Sequence, residues 1–140
     1  MESICKTLCD ADSVTLAEAA VAVLIEKKAL DVRLYEVGEE NPVTDYYVNV
    51  TGRSLTQVAA LADEVAFKLS EQGREALRIE GKRGNAWILV DYGDVIINVF
   101  DKESREFYNL DRLMPAGTER DISEIVKQVD AKLKINNTEE

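Results

Sequence analysis

Histidine is absent from the sequence, and the only cysteines are Cys5 and Cys9. Without histidine, the chain lacks the side chain that most often acts as a general base near neutral pH. Two thiolates with no other soft ligand cannot complete the four-coordinate site that structural zinc requires. We therefore expect no zinc site, and we expect both cysteines to be reduced and without a functional role.

Long apolar runs are also missing, since no stretch approaches the roughly 20 apolar residues of a membrane-spanning helix. The first ten residues, MESICKTLCD, lack the basic and then apolar order of a secretory signal. They are too acidic and too poor in arginine for an organellar transit peptide. These absences predict a cytoplasmic protein that has no membrane partner.

Positive charge is scarce, because 17 basic residues stand against 27 acidic ones and the formal net charge is −10. Proteins that bind nucleic acid usually neutralise phosphates with a basic patch. The charge balance therefore argues against a module that mainly binds RNA, and it favours encounter with a basic protein. An acidic surface that only maintains solubility explains the charge equally well.

Apolar and β-branched residues predict elements in the order α-β-β-α-β-β-β-α, followed by one further helix, within one domain of 140 residues. We expect helices at 15–28, 54–72, 103–110 and 121–134, and strands at 31–37, 45–51, 76–81, 85–91 and 94–101. This order implies an α/β protein with a mixed five-stranded sheet covered by helices.

The last two predicted strands form a hairpin in which Tyr92 and Gly93 make the turn, so that Asp91 faces Asp94. One face is then aliphatic and belongs to the core, and it carries Ala86, Ile88, Val90, Val95, Ile97 and Val99. The opposite face is mixed, and it carries Asn85, Trp87, Leu89, Asp91, Asp94, Ile96, Asn98 and Phe100.

The mixed face has two features of an interaction surface. Trp87 is predicted opposite Asn98, and an exposed tryptophan among polar groups is a typical interface anchor. The facing carboxylates of Asp91 and Asp94 repel by up to about 1 kcal/mol, which a cationic partner would relieve. The alternative is that Trp87 lies under a helix and the aspartates are solvated turn residues.

Four segments resemble the Iojap family of ribosomal silencing factors, in the order and spacing of that family. They are EKKALDVRLYEV, VTDYYVNVTGRS from Val43, EGKRGNAWILVDYGDVIINVF from Glu80 and ESREFYNLDRLM from Glu103. The resemblance implies a nucleotidyltransferase-like core. It divides the chain into an N-terminal extension (1–14), an Iojap-like domain (15–114) and a C-terminal helical extension (115–140).

Members of that family bind the large-subunit ribosomal protein numbered fourteen at the subunit interface and block subunit joining when nutrients are scarce. The resemblance therefore implies a non-enzymatic protein without cofactor or metal, and it leaves a minor rRNA contact and a homodimer open. It places the docking surface on Trp87, Asp91, Tyr92, Asp94, Asn98, Arg105 and Tyr108. Two positions depart from the family pattern, since Asn98 replaces a usual histidine and Met114 a usual tryptophan.

An enzyme is the main alternative. Nucleotidyltransferases of this general fold begin a helix after a Gly-Ser pair and hold metal with carboxylates on neighbouring strands. Here Gly52 and Ser54 precede a predicted helix, and Asp91 and Asp94 are two nearby acids. However, Arg53 splits the pair, the acids flank a turn, and such a helix start is common simply as an N-cap. Similarity of fold alone supports no activity.

Overall fold

The computed structural model describes residues 8–37, 43–115 and 118–138. The helices are α1 (Ser13–Glu26), α2 (Leu55–Glu71), α3 (Lys102–Tyr108) and α4 (Ser123–Thr138), with a 3-10 helix at Leu110–Leu113. The strands are β1 (Leu30–Glu36), β2 (Tyr46–Gly52), β3 (Arg78–Glu80), β4 (Trp87–Asp91), β5 (Val95–Asp101) and β6 (Glu119–Arg120). The predicted order of helices and strands is confirmed, and the α/β class with it. The described sheet has six strands instead of five, because β6 was not predicted.

The six strands form one mixed sheet in the order β3-β4-β5-β2-β1-β6. The central pair, β2 and β5, is parallel, and all other neighbours are antiparallel. The parallel pair is connected through α2 and the β3–β4 segment, as the crossover between parallel strands requires. This arrangement brings β2 and β5 to the middle of the sheet, where most side chains on both faces of each strand are buried.

The helices begin at capping side chains. Ser54 accepts a hydrogen bond at 3.1 Å from the backbone N–H of Gln57 and caps α2 as predicted. In α1 the cap is Asp12, whose carboxylate accepts a hydrogen bond at 3.1 Å from the backbone N–H of Thr15. An aspartate satisfies the free N–H groups of a first turn as well as a hydroxyl does. Within the described residues, no helix is long and apolar enough to span a membrane.

The hydrophobic core lies between one face of the sheet and the pair α1 and α2. The predicted aliphatic side of the β4–β5 hairpin forms its floor, and Ile88, Val90, Val95, Ile97 and Val99 are each 0% exposed. Full burial of such side chains contributes roughly 1.5–3 kcal/mol each. The core therefore fixes which face of the hairpin remains available for a function.

Residues after 115 extend both the sheet and the layer of helices that covers the core. β6 pairs with β1, and α4 packs against α1 with Val129 buried. The division of the chain at 14 and at 114 stays a prediction.

Cys9 is disulfide-bonded in the structure, which corrects the prediction of reduced cysteines. Cys5 lies outside the described residues. The prediction rested on the absence of further zinc ligands, which argues against a zinc site but does not exclude a disulfide bond. Leu8, beside Cys9, is buried in the core, and its backbone N–H donates to the Gln72 carbonyl at 2.8 Å.

Candidate functional site

The second face of the sheet, turned away from α1 and α2, is covered only in part by the described residues. The side chains that reach it alternate with the core residues along each strand. They are Trp87, Leu89 and Asp91 from β4, Ile96, Asn98 and Phe100 from β5, and Tyr47, Asn49 and Thr51 from β2. We call this surface the open face. α3 and the 3-10 helix lie over its Asn49–Asn98–Thr51 region, while Trp87, Leu89 and Tyr47 are partly exposed.

An array of aromatic rings on the open face runs from a fully buried ring at one end to a solvent-exposed ring at the other. The ring centroid of Trp87 lies 5.0 Å from that of Phe100 and 4.7 Å from that of Tyr108. Phe107 lies 5.0 Å beyond Tyr108, in an edge-to-face arrangement. Phe100 is fully buried, whereas Tyr108 is 49% and Phe107 79% exposed. Stacked aromatic rings offer rigid apolar area with a polar group at the rim, as interfaces commonly do.

Two hollows lie beside these projecting side chains. One, of about 250 Å³, is bordered by Glu80, Gly81, Trp87 and Leu89. The other, of about 180 Å³, is lined by Val37, Tyr47, Leu110, Leu113, Met114 and Pro115. Leu113 is itself 71% exposed. The open face therefore combines projecting apolar groups with concave sites that can receive a partner's side chains.

A chain of buried hydrogen bonds lies beneath α3 and the 3-10 helix. The Trp87 indole N–H donates to the Asn98 side-chain oxygen at 3.0 Å, and the Asn98 amide donates to Asn49 at 3.1 Å. The Asn49 amide then donates to the Asp111 carboxylate at 3.1 Å. Asn98 and Asn49 are 1% and 0% exposed. Buried amides persist when their polar atoms are paired in this way.

Asp111 is the acceptor at the end of this chain. Arg105 donates to both of its carboxylate oxygens, at 2.6 and 3.2 Å, and the Tyr35 hydroxyl donates at 2.8 Å. Burial alone would raise the pKa of Asp111, but hydrogen bonds from Arg105, Asn49 and Tyr35 outweigh it and hold the pKa below its ordinary value of 3.8. Asp111 is therefore an anion near neutral pH, and it binds α3 and the 3-10 helix to the sheet.

The tip of the β4–β5 hairpin differs from the prediction in register. Trp87 pairs with Phe100 and Asp91 with Ile96, a shift of two residues. A two-residue shift keeps each side chain on its predicted face, because side chains alternate with a period of two. The cause is a longer turn, in which the Tyr92 N–H donates to the Val95 carbonyl at 2.9 Å.

The two aspartates of the hairpin do not face each other, which corrects the predicted repulsion. Arg74 donates to Asp94 at 2.8 Å, and Arg78 donates to Asp91 at 3.0 Å. Both arginines come from the segment between α2 and β4, which approaches the turn only in the folded chain. The tip is therefore neutralised internally and needs no cationic partner.

The seven predicted docking residues fall into three groups. Trp87 and Tyr108 project from the open face, and Asp91 and Asp94 lie half-buried at the hairpin tip. The remaining three are buried, at 3% exposed for Tyr92, 1% for Asn98 and 7% for Arg105.

The buried members offer no surface to a partner. Arg105 is held by Asp111 and Thr51, and Asn98 by Trp87 and Asn49. Tyr92 lies in the core, where burial raises its pKa to about 12 and its hydroxyl has no hydrogen-bond partner among the described residues.

Asn49 and Asp111 belong to the buried chain but were not singled out from the sequence. A signal for Asn49 was present, because an asparagine between valines in the strand YYVNVT contradicts the β-propensity of its neighbours. Asp111 gave no comparable signal, since it follows a short helix at a position where surface acids are common. Only the folded chain brings it to Asn49.

The features that suggested an enzyme have structural explanations. A Cβ atom at Gly52 would lie 2.9 Å from Val58, so the glycine permits close packing of β2 against α2. Ser54 caps α2, and the Asp91 and Asp94 carboxylates are each paired with an arginine. Among the described residues, no group of three or more cysteine, aspartate or glutamate side chains is arranged to hold a metal ion.

The basic residues near β3 are largely neutralised. Lys82 pairs with Asp63 at 2.9 Å, and Arg74 and Arg78 pair with the hairpin aspartates. A contact with phosphate groups would compete with these ion pairs. This surface is therefore weakly suited to bind RNA by itself.

Comparison with known proteins supports one family. The profile of the family described as "Ribosomal silencing factor during starvation" matches residues 10–140. A ribosomal silencing factor from Halalkalibacterium halodurans is 37% identical over 98 residues, covering 70% of this chain and 84% of that protein. One from Bacillus subtilis is 34% identical over 99 residues, covering 71% and 84%. A crystal structure of a Chromobacterium violaceum protein aligns with a TM-score of 0.72 and 29% identity, covering 74% of this chain and 87% of its own.

The fold and these similarities define a regulator of translation, in agreement with the resemblance of the sequence segments. The chain belongs to the family of ribosomal silencing factors.

Proposed function

We propose that this protein binds the large ribosomal subunit through its protein numbered fourteen and prevents association with the small subunit. Translation is thereby repressed when nutrients are limiting. Family membership supports the action on ribosomes, and the resemblance of four sequence segments suggests the partner. The proposed place of action is the cytoplasm.

The observation that carries the proposal is the exposed aromatic array on the open face. Trp87, Tyr108 and Phe107 form a contiguous apolar surface beside the hollow at Leu89. Tryptophan and tyrosine in such positions frequently dominate binding energy, because their burial removes large apolar areas from water. We assign direct contact to Trp87 and Tyr108, together with Phe107.

The other predicted docking residues have supporting roles in this proposal. Asn98 and Arg105 hold the array from below, and Tyr92 packs in the core under the hairpin. Asp91 and Asp94 lie at the edge, where a basic partner meets carboxylates that already have arginine partners. The net charge of −10 then attracts a basic ribosomal protein as a whole, more than any single ion pair does.

The direct test uses purified ribosomal subunits and sucrose-gradient sedimentation. The protein is expected to sediment with isolated large subunits and not with small subunits. Adding it before the small subunits should reduce the fraction of joined ribosomes. Isolated large-subunit protein fourteen, added in excess, should release it. Sedimentation that is unaffected by this competitor would exclude the proposed partner.

A further expectation is that the protein has no nucleotidyltransferase activity. With Mg²⁺ or Mn²⁺ and each nucleoside triphosphate, turnover should not exceed the buffer control. The Asp91→Ala, Asp94→Ala double variant is the matched control, because it removes the two acids of the alternative enzyme site. Turnover that this variant abolishes would replace the proposed function with a catalytic one.

Two partners stay open predictions. A homodimer would appear in light scattering as twice the mass of the chain. A minor rRNA contact would appear as weaker subunit binding in an Arg83→Gln variant, since the exposed Arg83 lies beside the neutralised Lys82.

A further inference from the structure

The buried chain from Trp87 to Asp111 has a direction that is fixed at both ends. An indole N–H can only donate, and an ionised carboxylate can only accept. Asn98 and Asn49 between them must each accept on the Trp87 side and donate on the Asp111 side, at 3.0 to 3.1 Å throughout. Each amide therefore has a single orientation that satisfies the chain. Water cannot substitute for these bonds, because both asparagines are buried.

The Asp111 end of the chain is anchored to α3. Arg105 on α3 holds both carboxylate oxygens of Asp111. Three residues further along the same helix, Tyr108 places its ring 4.7 Å from that of Trp87. α3 thus reaches the indole by two routes, through ring contact on the surface and through the amide chain beneath it.

We propose that Asn98 and Asn49 are positioning residues that hold the Trp87 indole against Tyr108 in the orientation presented to the partner. This inference rests on the proposed function, because it assumes that the Trp87 ring contacts the large subunit. A ring that is already fixed loses less conformational freedom on binding, so more of its contact energy appears as affinity. Asn98 and Asn49 would therefore affect binding without touching the partner.

The test measures Trp87 mobility in the free protein by fluorescence anisotropy, since Trp87 is the chain's only tryptophan. Asn98→Leu removes two bonds of the chain at similar side-chain volume. It should lower the anisotropy and weaken large-subunit binding about fivefold to tenfold. Ile97→Val is the matched control, because it perturbs the core beside Asn98 without removing any of the hydrogen bonds between Trp87 and Asp111. It should leave both measurements unchanged.

A double-mutant cycle separates positioning from a general loss of structure. Trp87→Phe removes the N–H that begins the chain. In that background, Asn98→Leu should change subunit binding by less than about twofold. An equal loss in both backgrounds would mean that Asn98 acts by another route, and the positioning role would be wrong.

Asn98→Asp provides a second variant if Asn98→Leu does not fold. The ionised carboxylate accepts from Trp87 but cannot donate to Asn49, whereas the protonated acid does both. Its anisotropy should approach that of the wild type as the pH falls from about 8 to about 5, because burial raises the pKa of the introduced acid. The wild type should not change over this range, since the pKa of Asp111 lies below it and that of Tyr35 is about 12.

Failure of the positioning role and failure of the docking proposal give different results. If both Asn98 variants show wild-type anisotropy at every pH, the positioning role is wrong whatever the ribosome does. If Trp87→Ala leaves subunit binding intact, the docking surface is wrong, while anisotropy still decides whether the amide chain fixes the ring.

Discussion

Ile97 and Asn98 are neighbours on β5 whose side chains point to opposite faces and are both buried. Ile97→Ala should lower the free energy of unfolding by about 2–5 kcal/mol, because truncation leaves a cavity in the core. Asn98→Ala should lower it by about 1–3 kcal/mol, since the Trp87 N–H and the Asn49 oxygen lose their partner. Urea denaturation measures both, and a negligible loss at Asn98 would contradict the buried chain.

The position of Asn98 also illustrates how a departure from a family pattern is accommodated. A neutral histidine, usual at this position, offers one donor and one acceptor, and an asparagine amide offers both as well. The amide does not titrate, so the chain from Trp87 to Asp111 is independent of pH near neutrality.

Asp111 makes the free energy of unfolding depend on pH in the acidic range. Its pKa in the folded protein lies below its ordinary value of 3.8. The stability that it contributes is therefore present above the unfolded pKa and is lost as the pH falls through the folded pKa. Asp111→Asn should lower the free energy of unfolding at neutral pH by on the order of 3 kcal/mol, since the buried Arg105 loses its closer counter-ion and keeps the more distant Asp31, at 3.5 Å.

The difference in the free energy of unfolding between the wild type and Asp111→Asn should become smaller as the pH falls below 3.8, the ordinary pKa of an aspartate. Urea denaturation across this range measures it. A difference that is independent of pH would mean that the Asp111 carboxylate is not held as an anion by its neighbours.

At the scale of elements, the β4–β5 hairpin and the arginines before it form one unit. Replacing Asp91 and Asp94 by asparagine removes two ion pairs at the surface, to Arg78 and Arg74. We expect the free energy of unfolding to fall by at most about 1 kcal/mol per ion pair. If the two acids repelled each other, the same substitutions would instead raise the stability.

Thermal unfolding at low and high salt tests this expectation, because salt screens surface pairs and should shrink the loss. Asp130→Asn on α4 is the control for removing an exposed acid. A double-aspartate variant that is more stable than the wild type would contradict the pairing with Arg74 and Arg78.

The elements with strong local patterns could be predicted from the sequence. The long apolar stripe and the Ser54 cap define α2, and the alternation of β4 and β5 assigns each residue to its face. The short β6 and the 3-10 helix escaped prediction, because two to four residues have too little periodicity. The predicted register of the hairpin was wrong by two residues, because the longer turn is stabilised by a backbone hydrogen bond that composition does not reveal.

The candidate site was predictable to a similar extent. Trp87 and Tyr108 could be selected by residue type and by resemblance, and both project from the open face. The roles of Arg105 and Asn98 depend on Asp111 and Asn49, which come near them only through tertiary contacts. Sequence patterns therefore indicated where a surface lies, but not which of its residues are covered.

At the scale of the whole molecule, we propose that the open face docks on the large subunit and thereby silences the ribosome. The other side of the sheet, covered by α1 and α2, provides an internal comparison. Phe67 on α2 is 57% exposed and so is an aromatic side chain available to solvent away from the open face. Replacing Trp87 or Phe67 by alanine leaves the net charge of the protein unchanged. A difference in binding between the two variants therefore reports on direct contact and not on long-range electrostatic attraction.

The most direct measurement is the dissociation constant for large subunits of Trp87→Ala beside Phe67→Ala, together with inhibition of subunit joining in a translation extract. Trp87→Ala should weaken binding by about 2 kcal/mol or more and lose inhibition in proportion, as buried aromatic anchors do. Phe67→Ala should bind and inhibit like the wild type. A folded Trp87→Ala variant that binds and silences at wild-type concentrations would contradict the account.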